Sequence, residues 1–179
     1  MRRYSKQIFD AKGIWRSVKT AMYKAEVLPA LLYGCETWTL KTPHLIKLRS
    51  KHRKHLTRLI GFKKRRITDH PLSYRKALTI TECESIDTTI HRLRLRLAGR
   101  IVRMNDERLP KVMLFGELDA GKRRRGAPEK SWRSCLRDSL KAFKIDDKNW
   151  IKLAEEGAAE WTKLIDDSAD EHMDRWLKR

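Results

Sequence analysis

The chain has 179 residues, enough for one domain or one domain with an appendage but not for two large ones. Forty-two Lys/Arg against 23 Asp/Glu leave a net charge of +19, which places it among binders of nucleic acid or anionic surfaces, since such an excess repels itself until something screens it. Cys35, Cys83 and Cys135 lack the close spacing of a zinc site or a disulfide framework, and no window approaches the ~18 apolar residues of a membrane span.

The N-terminus carries basic residues without an apolar signal core, so the chain reads as nuclear or cytoplasmic, with reduced, packed thiols. Strand-like alternation is scarce and no repeat is visible. The expected fold is all-α or mainly α, a small bundle of about six to seven helices with a basic loop. Charge marks out three stretches: 1–62, helical with a basic stripe; 63–143, an Arg-rich helix and basic loop continuous with it; and 144–179, acidic helices with seven Lys/Arg against ten Asp/Glu.

Trp15 to Tyr33 reads as one helix, or as a pair bent at Pro29, with Gly34 able to end it. Thr42-Pro43 opens a second helix, which stops at Gly61 after Ile60. Leu45, Leu48, His52, Leu56 and Leu59 form its apolar side, and Lys47, Lys51, Lys54 and Arg58 step by four, three and four along the opposite side. From Lys41 to Arg66 there are eleven Lys/Arg and no acid, ending in Lys63, Lys64, Arg65 and Arg66. A short helix is expected from Leu72 to Ala77, and Ser85 starts the next.

In that next helix Ile86, Ile90, Leu93, Leu97, Ile101 and Met104 share one side, while Leu95, Ala98 and Val102 lie roughly opposite. Arg92, Arg96 and Arg103 flank the stripe. Five arginines from Arg92 to Arg103 without a carboxylate call for an anionic partner, and phosphate fits. Pro110 opens one turn before Gly116, and Asp119 to Pro128 reads as an exposed loop holding Lys122, Arg123, Arg124 and Arg125. Ser131 caps a helix with Trp132, Leu136, Leu140 and Phe143 on its packing side. Asp146 caps another that packs through Trp150, Leu153, Ala154, Ala158, Trp161, Leu164 and Ile165, and Asp170 to Arg179 is a frayed final helix.

Several ordered blocks resemble the C-terminal part of the reverse transcriptases of non-LTR (LINE-type) retrotransposons. They are LPALLYGCETWTL (Leu28 to Leu40), HRKHLTRLIGF (His52 to Phe62), RLAGRIVRMNDERLPKVMLFGEL, GKRRRGAPEKSW and the LRDSLKAF run (Leu136 to Phe143). The resemblance covers roughly Ile14 to Ile165 and rests on block order and spacing. It implies the thumb and post-thumb region of an RNA-directed DNA polymerase, tracking template-primer beside a palm that these residues do not include. The Cys-Cys-His-Cys knuckle of many such tails is absent.

No catalytic constellation is legible. A polymerase needs carboxylates holding two metal ions, whereas Asp146-Asp147 and Asp166-Asp167 read as helix-end residues. His44, His52 and His55 lack further ligands for zinc, and His52 reads as a half-buried core residue. Neither metal nor cofactor is expected, and this chain alone is expected not to catalyse. The Gly121 to Pro128 loop is open to three readings: a grip on backbone phosphates, which is preferred, a nuclear-import signal, or a solvated turn. Ala127 stands where a minor-groove hook would have its second Arg. Trp132, Trp150 and Trp161 read as core, and Trp38 alone sits where base stacking is open to it, with packing the preferred reading there too.

The expected partner is therefore RNA, DNA or their hybrid, met mainly at the backbone by the basic residues named above, with a polymerase palm as a further partner and no membrane. The alternatives are a helical module docking an acidic protein, and a non-functional mobile-element relic.

Overall fold

The computed structural model describes residues 8–11, 13–61, 72–116 and 130–178. All regular structure among them is helical, as composition and periodicity predict. They form two compact units, Met1–Tyr33, Thr42–Asp87 and Leu177–Arg179 in one, and Gly34–Lys41 and Thr88–Trp176 in the other. These borders differ from the charge-defined stretches 1–62, 63–143 and 144–179, because charge reports which side of a helix meets water rather than which helices share a core.

In the first unit α1 (Arg16–Met22), a π-helical turn (Tyr23–Val27) and α2 (Leu28–Leu31) run without interruption. Pro29 cannot donate to the preceding turn. The wide turn absorbs that loss, with Leu28 N–H reaching back five residues to Tyr23 O, so the segment stays helical where a bend was the alternative expectation. Gly61, at φ 72°, holds a left-handed position that stops α3 (Thr42–Ile60), whereas α2 ends at its cap Leu32 and Gly34, at φ 67°, opens the 3-10 turn Cys35–Thr37.

On α3 the residues predicted as apolar side do face inward: His52, Leu56 and Leu59 are buried, Leu45 and Leu48 half-buried. His52 stacks on Tyr23 with ring centroids 5.7 Å apart, and Val27, and Leu78 of α4 (Tyr74–Thr81), are buried in the same unit. α4 starts from the Ser73 cap and runs a turn beyond the expected Ala77. Thr79 and Thr81 return their hydroxyls to Arg75 O and Ala77 O within this added turn.

The second unit is built on α5 (Ile86–Val102), whose first two residues count with the first unit. Around it lie α6 (Leu109–Phe115), α7 (Trp132–Ala142), α8 (Trp150–Glu156) and α9 (Ala158–Lys178). Ser131 and Ser134 cap α7 reciprocally, each hydroxyl accepting from the other's backbone N–H. The continuous apolar pattern expected from Trp150 to Ile165 breaks at Gly157. In one helix Trp150 and Trp161 would stand about 16 Å apart along the axis, whereas their ring centroids are 6.2 Å apart. The turn at Gly157 lets both rings enter one core with Leu95, Leu140 and Ile165.

The segment after Asp170, expected as a separate frayed helix, continues α9, and Arg175 donates to Ala142 O at 2.9 Å. Asp166 and Asp167 consequently lie mid-helix and not at a helix end. The three thiols are buried and free, as their spacing predicts. Burial pushes Cys35 up to about 11 and raises Cys83, so both stay protonated at neutral pH.

Candidate nucleic-acid interface

Lys47, Lys51, Lys54 and Arg58 all lie exposed on the face of α3 opposite its core residues. Packing of Leu56, Leu59 and His52 fixes the rotation of the helix and therefore the direction of the stripe. Lys47, Lys51 and Lys54 make no ion pair among the described residues. Arg58 does: its guanidinium grips the Asp10 carboxylate in a two-pronged contact, Nε to Oδ1 at 2.9 Å and NH2 to Oδ2. Arg49, which the helical period sets off the stripe, is tied to Asp87 by two bonds of 2.7 and 2.6 Å and anchors α3 to the first turn of α5. The anionic-partner surface of α3 thus narrows to three lysines spread over about 10 Å of axis.

His55 registers the field of this stripe. Burial lowers its proton affinity to about 4, and the charges of Lys51 and Arg58 act in the same direction. Its Nδ1 lies 3.4 Å from the Tyr23 hydroxyl. His52, expected to be half-buried, is fully enclosed, stacked on Tyr23 and 2.7 Å from the Tyr74 hydroxyl. Both imidazoles are engaged with tyrosines. Among the described residues no group of three or more His, Cys, Asp or Glu is arranged to hold a metal ion.

The arginines of α5 are differently employed from the sequence expectation. Arg96 donates to both oxygens of Asp166 at 2.7 and 2.8 Å, with Arg92 3.9 Å from the same carboxylate. Arg103 donates to Ala154 O at 2.6 Å. All three belong to the second unit, whereas the α3 stripe belongs to the first. The repulsion foreseen from their crowding is met by a carboxylate and a carbonyl supplied by α9 and α8, which sequence spacing does not bring near. Lys63, Lys64, Arg65, Arg66, Lys122, Arg123, Arg124 and Arg125 lie outside the described residues.

Arg94 was not singled out from sequence, yet it is the arginine most tightly built in, with 4% of its surface exposed. It donates to Trp38 O at 2.8 Å, Ser139 Oγ at 3.0 Å and Cys135 O at 3.3 Å. Trp132 Nε1 donates to Glu36 O at 2.8 Å alongside. The turn 34–41 is thereby clamped to α5 and α7, and half-buried Trp38 serves this packing. One signal was present: Arg94 falls inside the stripe of Ile90, Leu97 and Ile101, where a cation must be buried.

No protein-family model, curated protein or solved structure matches this chain.

Proposed function

We propose that this chain is a non-catalytic nucleic-acid-binding module that holds the phosphate backbone without reading sequence. The observation that carries the proposal is the exposed Lys47–Lys51–Lys54 stripe, rigidly oriented on a 19-residue helix that contains no acidic residue. Phosphates spaced along one strand match a row of cations better than any isolated carboxylate does. The resemblance described above extends this reading to the thumb and post-thumb part of a LINE-type reverse transcriptase, with template-primer as the ligand.

The test is a titration against RNA-DNA hybrid, duplex DNA and single strands at several salt concentrations. Wild-type affinity is expected to fall steeply with salt. Replacing Lys47, Lys51 and Lys54 together by Gln should weaken all substrates alike and reduce the logarithmic salt slope by roughly two to three. Bound polyanion should also raise the His55 titration midpoint, followed by the ring proton resonances. Unchanged affinity and slope in the triple variant would remove α3 as the interface.

A further inference from the structure

The second unit holds a cleft of about 920 Å³ between α5, α6 and the start of α7, within the size range of ligand sites. Leu97 and Ile101 of α5, with Met104 two residues beyond its end, form one wall, Met113 of α6 a second and Trp132 of α7 a third. Little about α6 is explained by its own core. Of its seven residues only Leu114 is buried, while Met113 is 76% and Leu109 69% exposed, with Val112 also open. A helix that turns this much apolar surface outward beside an apolar cleft is half of an interface.

Its charge indicates what completes it. Arg133 lines the cleft, and its guanidinium donates to Leu114 O, which fixes a cation at the wall. Arg100 is exposed one residue before Ile101 and four before Met104, and Arg108 is exposed at the entrance to α6. Against these stand Asp106 and Glu107, and Asp106 is paired with Lys111 at 2.7 Å. Arg133 thus places one cation on the wall of an otherwise uncharged cleft, with Arg100 and Arg108 exposed on sequence neighbours of its lining. Two methionines on facing walls add adaptable packing of the kind suited to helix side chains.

We propose that this cleft docks an amphipathic helical segment of a partner protein, its apolar anchors seated between Met104, Met113 and Trp132 and a carboxylate on Arg133. Such a segment presents anchors at i, i+4 and i+7 and acids beside them. The inference is independent of nucleic-acid binding, which concerns α3 in the other unit.

The experiment labels the methionine methyl groups of the full chain and adds a synthetic helix with leucine anchors and flanking glutamates. Saturable shifts at Met104 and Met113 are expected, weaker by about tenfold or more for a peptide with Gln in place of Glu. Met113→Glu should abolish the shift at Met104. That side chain is exposed, so folding is not at stake, and unchanged shifts at Met22 and Met173 would verify it. Three outcomes overturn the proposal: no shift at Met104 and Met113; equal affinity of the two peptides; or shifts that grow with protein concentration without peptide, which would make the occupant a second copy. Saturation by laurate and not by peptide would likewise reassign the cleft to a small amphiphile. Failure of the α3 variants to alter nucleic-acid binding would leave all of these readings untouched.

Discussion

His52 shows what one enclosed side chain imposes. The Tyr74 hydroxyl accepts from Ile86 N–H at 3.1 Å and lies 2.7 Å from His52 Nδ1, while the other ring nitrogen, Nε2, is buried with no hydrogen-bond partner. Burial, then the charge of His55, lowers its proton affinity to about 4 from an ordinary value of 6.5. The unfolded chain therefore binds the proton more readily, and stability that is complete above the ordinary value is lost as pH falls from there through about 4. The loss is on the order of 3 kcal/mol, with His55 acting in the same sense. By pH 5 roughly 2 kcal/mol of that is already lost, so urea midpoints at about pH 7 and about pH 5 should differ accordingly, and His52→Leu should narrow the gap. A variant whose midpoint shifts with pH as much as wild type would remove His52 as the cause. The apolar side of α3 named this residue as core from its period alone. Full enclosure was not legible there, because it depends on Tyr23 and Tyr74, which lie 29 residues before and 22 after it in the chain.

At the level of helices, most of what periodicity predicts is present, and the misses share a cause. A run of apolar residues reads the same whether a helix continues or folds back, so the break at Gly157 and the continuity of α9 became visible only with the partner surfaces. α9 lies against α5 at Gly99, where an added Cβ would stand 2.2 Å from Trp161 Nε1 and 2.4 Å from Cδ1. Trp161 is fully buried and donates to Leu95 O at 3.1 Å, so its ring has nowhere cheap to go. Gly99→Ala, an improvement in helix propensity by itself, should therefore destabilise by roughly 1–3 kcal/mol in chemical denaturation. A neutral or stabilised variant would show that the two helices can separate without penalty. The same blindness hid the arginine contacts. Arg92 and Arg96 looked free because Asp166 lies seventy residues beyond Arg96.

Over the whole molecule the charge is shared unequally. The first unit carries 21 Lys/Arg against 6 Asp/Glu, net +15, and the second 21 against 17, net +4. If binding follows a placed row of lysines rather than total charge, position should matter at constant charge change. Replacing exposed Lys141, Lys148 and Lys152 of the second unit by Gln removes as many charges as the α3 triple variant. It should leave affinity within about twofold at physiological salt. Equal losses in the two triples would reduce the interface to diffuse electrostatics. Where the cations are was legible in the sequence, but which of them are already committed within the chain was not. Finally, the turn 34–41 belongs to the second unit although helices of the first flank it on both sides. Neither unit is thus a continuous piece of chain. A fragment starting at residue 88 would lack the carbonyls of Glu36 and Trp38, leaving the Trp132 indole and the Arg94 guanidinium each short of an acceptor. Dissection by truncation would break both units at once, and folding must close loops of 56 and 96 residues before that clamp forms, a slower requirement than helical content alone suggests.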